Sequence, residues 1–474
     1  MALAVAESES SLEFDRRVVG LGAEEELAGP PHVDTLRPVT QQERISSMDV
    51  LRGFALMGIL VMNITSFGLP GWAYTIPVST ALPVFDGPHW RVNTIIWFLR
   101  WVLAEGKMRG LFSMLFGAGV ILLTSRAEAR GGGDRVADIY LRRNMWLVVF
   151  GVLHAYLIWD GDILYFYGMT ALLFLYPCRK LKAKTLIWTA AIVLLVNGII
   201  GSGRIVDARL LEKRAQQADA AYRAGKGLTP DQAEAITAWH NWHDSVRPPK
   251  EKLLKDERRV WGGYLSEQRY KAREVFDTQT RDYYLGFGDV LGFMLLGMGM
   301  FRNGFLTAKL KTKTYVTFAV VGLGIAWPLV FAGCWIAWKS HFDLFETEYG
   351  LFLPYDIGRA GGTLGTAALV LLVVKSGAMG WLTRRIAAVG QMALSNYLLT
   401  STCCQILFVW SPLKWYSRLE YYQLYFVVLG VWALNLTWST LWLQYFQYGP
   451  MEWAWRSLTY WRRQPMRLLK TATA

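Results

Sequence analysis

Apolar residues in this chain come in long blocks separated by short polar stretches. Residues 51–69 carry no charge after Arg52, and comparable blocks cover 144–159, 185–203, 314–338, 360–374, 386–410 and 421–448. A run of about 20 apolar residues matches the hydrocarbon core of a bilayer, about 30 Å thick. The pattern predicts an all-α, polytopic transmembrane bundle of about ten spans. One region leaves the count open: 91–104 and 111–124 are each short, and Glu105-Gly106-Lys107-Met108-Arg109-Gly110 interrupts them. Reading them as one span preceded by an interfacial or re-entrant helix keeps both termini on one side.

The expected organisation is a disordered cytoplasmic tail over 1–45, a first transmembrane bundle over 46–203 and a helical extracytoplasmic insert over 204–284. A second bundle over 285–448 and an amphipathic cytoplasmic tail over 449–474 complete it. Residues 1–45 are polar and Glu-rich, without the basic and apolar regions of a signal peptide. After Gly449-Pro450 the stretch 450–463 holds Trp453, Trp455, Trp461, Arg456, Arg462 and Arg463, the content of an interfacial helix.

Charge orients the bundle. Arg126, Arg130, Arg135, Arg142 and Arg143 share one loop; Arg179, Lys180, Lys182 and Lys184 the next on that side; then Arg302, Lys309, Lys311 and Lys313; then Lys375, Arg384 and Arg385. The turn Trp159-Asp160-Gly161-Asp162 between two of them carries no base. Such alternation places the basic loops in the cytoplasm and predicts a multi-pass protein of the bacterial inner (plasma) membrane. The net charge of +13 lies in these loops, which argues against a nucleic-acid partner and for the lipid bilayer. Hydrophobic residues make up 53% of the 474 and charged ones 18%, too few for the skin of a soluble protein. Cys178, Cys334, Cys403 and Cys404 all lie in apolar stretches, which reads as core packing and not as a disulfide scaffold or metal site.

Polar side chains inside apolar blocks need a partner or a task. Arg52 and Asn63 are eleven residues apart, which returns to nearly the same helix face about 16 Å further along. Asp49 and Arg52 are i, i+3 neighbours able to pair. The hairpin His154…Asp162 brings an imidazole and a carboxylate to similar depth, a pairing suited to general-base chemistry or to a proton relay. The alternative is an Asp helix cap with an interfacial His. Gln391, Ser395 and Asn396 lie side by side, as substrate contacts or as glue between helices. Lys107 and Arg109 either bind an anionic group or snorkel, and His89 is a second candidate acid or base. His240 and His243 are i, i+3 but lack further ligands, so no metal is expected. Gly286, Gly288, Gly292, Gly297 and Gly299 point to close helix packing and not to a nucleotide loop.

Five stretches carry a family resemblance: Met48-Asp49-Val-Leu-Arg52-Gly53, Leu115-Phe116-Gly117-Ala-Gly119, His154 through Trp159-Asp160-Gly161-Asp162, Gly390-Gln391-Met-Ala-Leu-Ser-Asn396-Tyr397, and Gly449-Pro450-Met-Glu452-Trp453-Ala-Trp455-Arg456. The chain resembles the YeiB-like membrane proteins (domain of unknown function 418) over about 44–467. That family's fold is similar to the transmembrane acyltransferase superfamily, which includes the heparan-glucosaminide acetyltransferases and bacterial acyltransferases of surface glycans. The resemblance implies transfer of an acyl group from cytoplasmic acyl-CoA to an extracytoplasmic glycan or envelope-lipid acceptor. Asp49, Arg52, Gly53 and Asn63 match the first-helix pattern of the heparan branch. The large bacterial branch has His where this chain has Asn63, so the base is sought elsewhere, first at His154 with Asp162 and then at His89. The expected catalytic set is His154, Asp162 and Asn63. The expected substrate-binding set is Asp49, Arg52, Lys107, Tyr167, Gln391 and Asn396. Arg52, Asn63, His154, Asp162 and Gln391 are expected to face one cavity. The rival readings are a transporter or flippase with a His/Asp proton relay, and a non-catalytic membrane subunit.

Overall fold

The computed structural model describes residues 46–75 and 87–468; the expected tail 1–45, with Arg44, lies outside the described residues. Regular structure among those residues is helical, apart from one isolated bridge between Phe446 and Arg467. The helices are α1 (Ser46–Gly68), α2 (Trp90–Leu99), α3 (Lys107–Ala129), α4 (Arg135–Leu157), α5 (Leu164–Cys178) and α6 (Ala183–Arg223). There follow α7 (Pro230–Val246), α8 (Lys250–Trp261), α9 (Tyr264–Asp277), α10 (Tyr283–Arg302), α11 (Thr312–Lys339) and α12 (Leu344–Phe352). The last five are α13 (Tyr355–Ser376), α14 (Gly380–Gln391), α15 (Ala393–Gln405), α16 (Leu424–Trp442) and α17 (Pro450–Tyr460).

Among the described residues six helices are long and apolar enough to cross a membrane, with Trp90–Ala129 counted as one, or up to eight if the bent pairs at α9/α10 and α14/α15 are each one span. The sequence predicts about ten. The other two expected spans are present as helices α4 and α5, but Arg142, Arg143, Asn144 and His154 dilute the apolar content of α4, and α5 is short. These two form the hairpin that carries His154 and Asp162.

Lipid-facing character is read from exposure. Helix α6 turns Trp188, Ile192, Leu195 and Ile199 outward, α11 Val320 and Val321, and α16 Phe426 and Leu429. Large apolar side chains exposed in such numbers along three long helices are disfavoured in water and favoured in a bilayer. The chain is a membrane protein by this pattern. Helix α6 continues past residue 204 to Arg223 without interruption, so no break falls at the expected 203/204 boundary. Helix α7 starts with Thr229 and Gln232 in a capping box and Pro230 at its first position.

The centre is built by backbone contact at glycines. A Cβ at Gly117 would lie 2.0 Å from the Met294 carbonyl oxygen, and one at Gly297 would lie 1.9 Å from that of Met114. Helices α3 and α10 therefore touch main chain to main chain, as small residues permit in membranes. Around this crossing Leu51, Met114, Leu115, Phe293, Met294 and Phe301 form the larger core. Trp97, Trp101, Trp159, Phe345 and Phe408 form a second core towards the insert.

Candidate functional site

His154 sits in the last turn of α4 and Asp162 just before α5. The His154 Nδ1 lies 2.9 Å from the Asp162 Oδ1, and both side chains are buried. The Asp162 Oδ2 accepts the Tyr165 amide hydrogen at 2.8 Å, so this carboxylate also caps α5. One carboxylate thus holds both the imidazole and the first turn of α5. The His154 Nε2 is buried and has no hydrogen-bond partner among the described residues. The Tyr397 ring closes over the imidazole with centroids 4.9 Å apart, and its hydroxyl accepts the Ile163 amide hydrogen at 3.3 Å.

Two cavities approach this pair from opposite ends of the bundle. The first, about 220 Å³, lies at the end of the basic loops. Its lining includes Asp49, Arg52, Arg126, Arg143, Gln391, Glu452 and Arg456, four guanidiniums against two carboxylates. Its geometry follows from glycine. A Cβ at Gly53 would lie 2.0 Å from the Ile386 carbonyl oxygen, and one at Gly390 would lie 1.9 Å from that of Asp49. Helices α1 and α14 are pressed together there, which places Arg52 and Gln391 on one wall. Arg52 donates to Asp49 at 3.0 Å, the expected i, i+3 pair. The Arg143 guanidinium stacks 3.8 Å from the Trp455 ring centre, and Arg52 and Arg456 both act on it as like charges. Clustered guanidiniums with a carboxylate deficit suit an anionic, phosphate-bearing ligand.

The second cavity, about 670 Å³, lies at the insert end and includes Asp160, Asp162, Asp289, Glu348 and Asp356 with Arg109, Arg204 and Arg359 in its lining. Its lining sign is opposite, five carboxylates against three guanidiniums. Arg359 pairs with Asp289 at 2.6 Å and Asp356 at 2.5 Å, and Arg109 reaches Asp289 at 3.5 Å. Glu348, on α12 outside the spans, has its carboxyl pushed up to about 7 by burial. On α5, Leu164 and Tyr167 line the basic-end cavity, while Phe166 and, just before the helix, Ile163 line the insert-end one. Tyr397, whose ring lies against the imidazole, lines the basic-end cavity, and Asp162 lines the insert-end one.

The five residues expected in one cavity are therefore divided. Arg52 and Gln391 line the basic-end cavity, Asp162 the insert-end one, and Asn63 and His154 line neither. Buried polar groups here are satisfied in pairs and capping bonds, so a single shared space is not required. Tyr167 does line the basic-end cavity, with its hydroxyl 2.6 Å from Ser113 Oγ. Asn396, expected to bind substrate, is instead glue. Its amide donates to the Val389 carbonyl and Ser439 Oγ, and its oxygen accepts from Trp438 and Ser439, so all four positions are used. Lys107 is also structural. Its buried ammonium donates to the Trp101 and Glu105 carbonyls at 2.9 and 3.3 Å, satisfying the break before α3. His89 pairs with Glu420 at 2.9 Å on the exposed side, away from both cavities. Among the described residues no group of three or more His, Cys, Asp or Glu is placed to hold a metal ion.

Sequence reading missed Asp289, Arg359 and Glu348, and gave Tyr397 and Glu452 a place in motifs but no role. For Asp289 a signal existed, since it is the one ionisable residue in the apolar block 285–301.

Residues 300–462 match the family model "Protein of unknown function (DUF418)". The "Uncharacterized protein YeiB" of Escherichia coli (strain K12) is 28% identical over 420 residues, covering 88% of this chain and 96% of that protein. The "Uncharacterized protein YxaH" of Bacillus subtilis (strain 168) is 27% identical over 458 residues, covering 92% of this chain and 98% of the relative. No solved structure matches the chain.

Proposed function

We propose that this YeiB-like DUF418 protein is a membrane-embedded acyltransferase that moves an acyl group from acyl-CoA on the basic, cytoplasmic side to a glycan or envelope-lipid acceptor on the insert side. The observation that carries the reading is the buried His154–Asp162 pair, whose carboxylate lines the insert-end cavity and whose covering ring, Tyr397, lines the cationic basic-end one. In this reading Arg52, Arg126, Arg143 and Arg456 hold the phosphates of the donor by charge-assisted bonds. Gln391 donates a hydrogen bond to the thioester oxygen as it gains charge. The His154 Nε2 takes the proton of the acceptor hydroxyl or amine, whose heteroatom attacks the thioester carbonyl. The C–S bond breaks, and the CoA thiolate receives that proton from His154. Asp162, bonded to Nδ1, keeps the tautomer that leaves Nε2 as acceptor and stabilises the imidazolium. Access to Nε2 requires movement of the Tyr397 ring that lies against the imidazole. Asn63 has no part in this scheme, since it lines neither cavity.

A transporter using the same pair as a proton relay is the second reading. It is the weaker one, because a single cargo would have to be received by both a cationic and an acidic cavity. The direct test is equilibrium binding of labelled acetyl-CoA to the solubilised protein. Wild type is expected to bind, and Arg52→Ala to bind about tenfold or more weakly for the loss of one charged hydrogen bond. Absence of binding to wild type would sink the reading.

A further inference from the structure

We propose that the insert-end cavity is a binding site for the head of an uncharged, polyhydroxylated compound, a sugar free of phosphate and carboxylate, and that Glu348 is the side chain that reads it. Calling this sugar the acyl acceptor rests on the transfer reading above, whereas the binding claim does not.

The size fits a small-molecule site. At about 670 Å³ the cavity is three times its neighbour and within the range of ligand pockets. Its lining includes a lattice in which Arg109, Asp289, Arg359 and Asp356 alternate in sign and hold one another at 2.5–3.5 Å. Such a lattice presents N–H donors and oxygen acceptors side by side, and a sugar hydroxyl is both donor and acceptor. A lone phosphate or carboxylate offers acceptors only, and two of the three lining guanidiniums, Arg109 and Arg359, are already held by Asp289 and Asp356.

Glu348 is the unsatisfied member. It is half-buried, and its carboxyl has no hydrogen-bond or ion-pair partner among the described residues, unlike Asp160, Asp289 and Asp356. A carboxyl withdrawn from water without a partner is costly unless something else meets it. Near neutrality it holds both forms, and the protonated one donates as well as accepts. Apolar faces for the carbon side of a ring are supplied by Trp242, Phe352 and Tyr355. Trp242 is held rigid by stacking on Trp239 and Phe345, with centroids 5.4 and 6.0 Å away.

The test uses the full-length protein in lipid nanodiscs without glycoside detergents, whose own sugar heads would compete. Saturation-transfer NMR is recorded with methyl β-glucoside, glucose 6-phosphate and glucuronate. The neutral glycoside should receive saturation, and the two anions should bind at least about tenfold more weakly. Glu348→Ala should weaken the glycoside about tenfold, as loss of a buried hydrogen-bonding group does, while Glu348→Gln, which keeps a donor and an acceptor, should stay near wild type. Equal binding of the anions, no binding of the glycoside, or an unchanged affinity in Glu348→Ala overturns the proposal. The comparison of the three sugars on wild type needs no variant to fold. Acetyl-CoA binding measured on the same samples separates the two claims. Sugar binding without acetyl-CoA binding removes the transfer reading and leaves the sugar site. The converse removes the sugar site alone.

Discussion

The Glu452 carboxylate accepts the Ser395 hydroxyl hydrogen at 2.5 Å, joining two helices 57 residues apart in the chain. Its other oxygen accepts the Leu394 and Ser395 amide hydrogens at 2.6 and 3.2 Å. Those amides belong to the first turn of α15, so α17 supplies the cap and the negative charge that this helix start lacks in its own sequence. Trp455 adds a bond from its indole to the Arg143 carbonyl at 2.8 Å. The C-terminal helix therefore closes the basic-end cavity and is not only a surface segment. Glu452→Ala should lower stability by about 3 kcal/mol, since hydrogen bonds to a buried charged group are worth about 1.5–3 kcal/mol. It should also expose 450–460 to protease. Thermal denaturation with limited proteolysis checks this, and an unchanged melting temperature would refute the latch.

Gly390 offers a controlled comparison. A methyl group there would sit 1.9 Å from the Asp49 carbonyl oxygen, whereas one on Gly430 meets nothing within 4 Å. Gly390→Ala should cost at least about 1–3 kcal/mol, the usual penalty of overpacking, and weaken acetyl-CoA binding by separating α1 from α14. Gly430→Ala should be neutral or slightly stabilising, as Ala favours helix over Gly. Equal behaviour of the two variants in melting experiments would contradict the close approach.

Glu348 predicts a pH dependence with a definite sign. Burial raises its carboxyl from 4.5 to about 7, so the folded protein binds more protons than the unfolded chain between those values. Its contribution is fully present below pH 4.5 and is lost as pH rises through about 7. The loss amounts to at most about 3 kcal/mol, from 1.36 kcal/mol per unit. Glu348→Gln removes the titration. The melting temperature of the variant relative to wild type should therefore increase from pH 5 to pH 8, and a constant difference would argue against the raised carboxyl.

How much was legible in the sequence depends on range. The His154–Asp162 pair was accessible because both residues belong to one hairpin and lie eight positions apart. The all-helical membrane fold was accessible because apolar block length reports directly on bilayer thickness. The cationic cavity was not, because Arg52, Arg143 and Arg456 come from α1, α4 and α17, and nothing in a single sequence states which helices touch. Asn396 shows the same limit. An amide in a span can bind a ligand or a neighbouring helix, and its partners Trp438 and Ser439 lie more than forty residues on. Lys107 resembled an anion contact because the break that it satisfies, at Glu105 and Gly106, appears only once the backbone is built.

The measurement closest to the central claim is transfer of labelled acetyl from acetyl-CoA into the envelope fraction by membranes containing wild type or His154→Ala, each first shown to bind acetyl-CoA. General-base catalysis by a positioned His is worth about 10²–10⁴-fold. Wild-type membranes should label an acceptor above membranes lacking the protein, and His154→Ala should bind acetyl-CoA normally yet lose labelling by at least about a hundredfold. Labelling by His154→Ala at the wild-type rate, or no labelling by wild type that binds acetyl-CoA, would contradict the assignment.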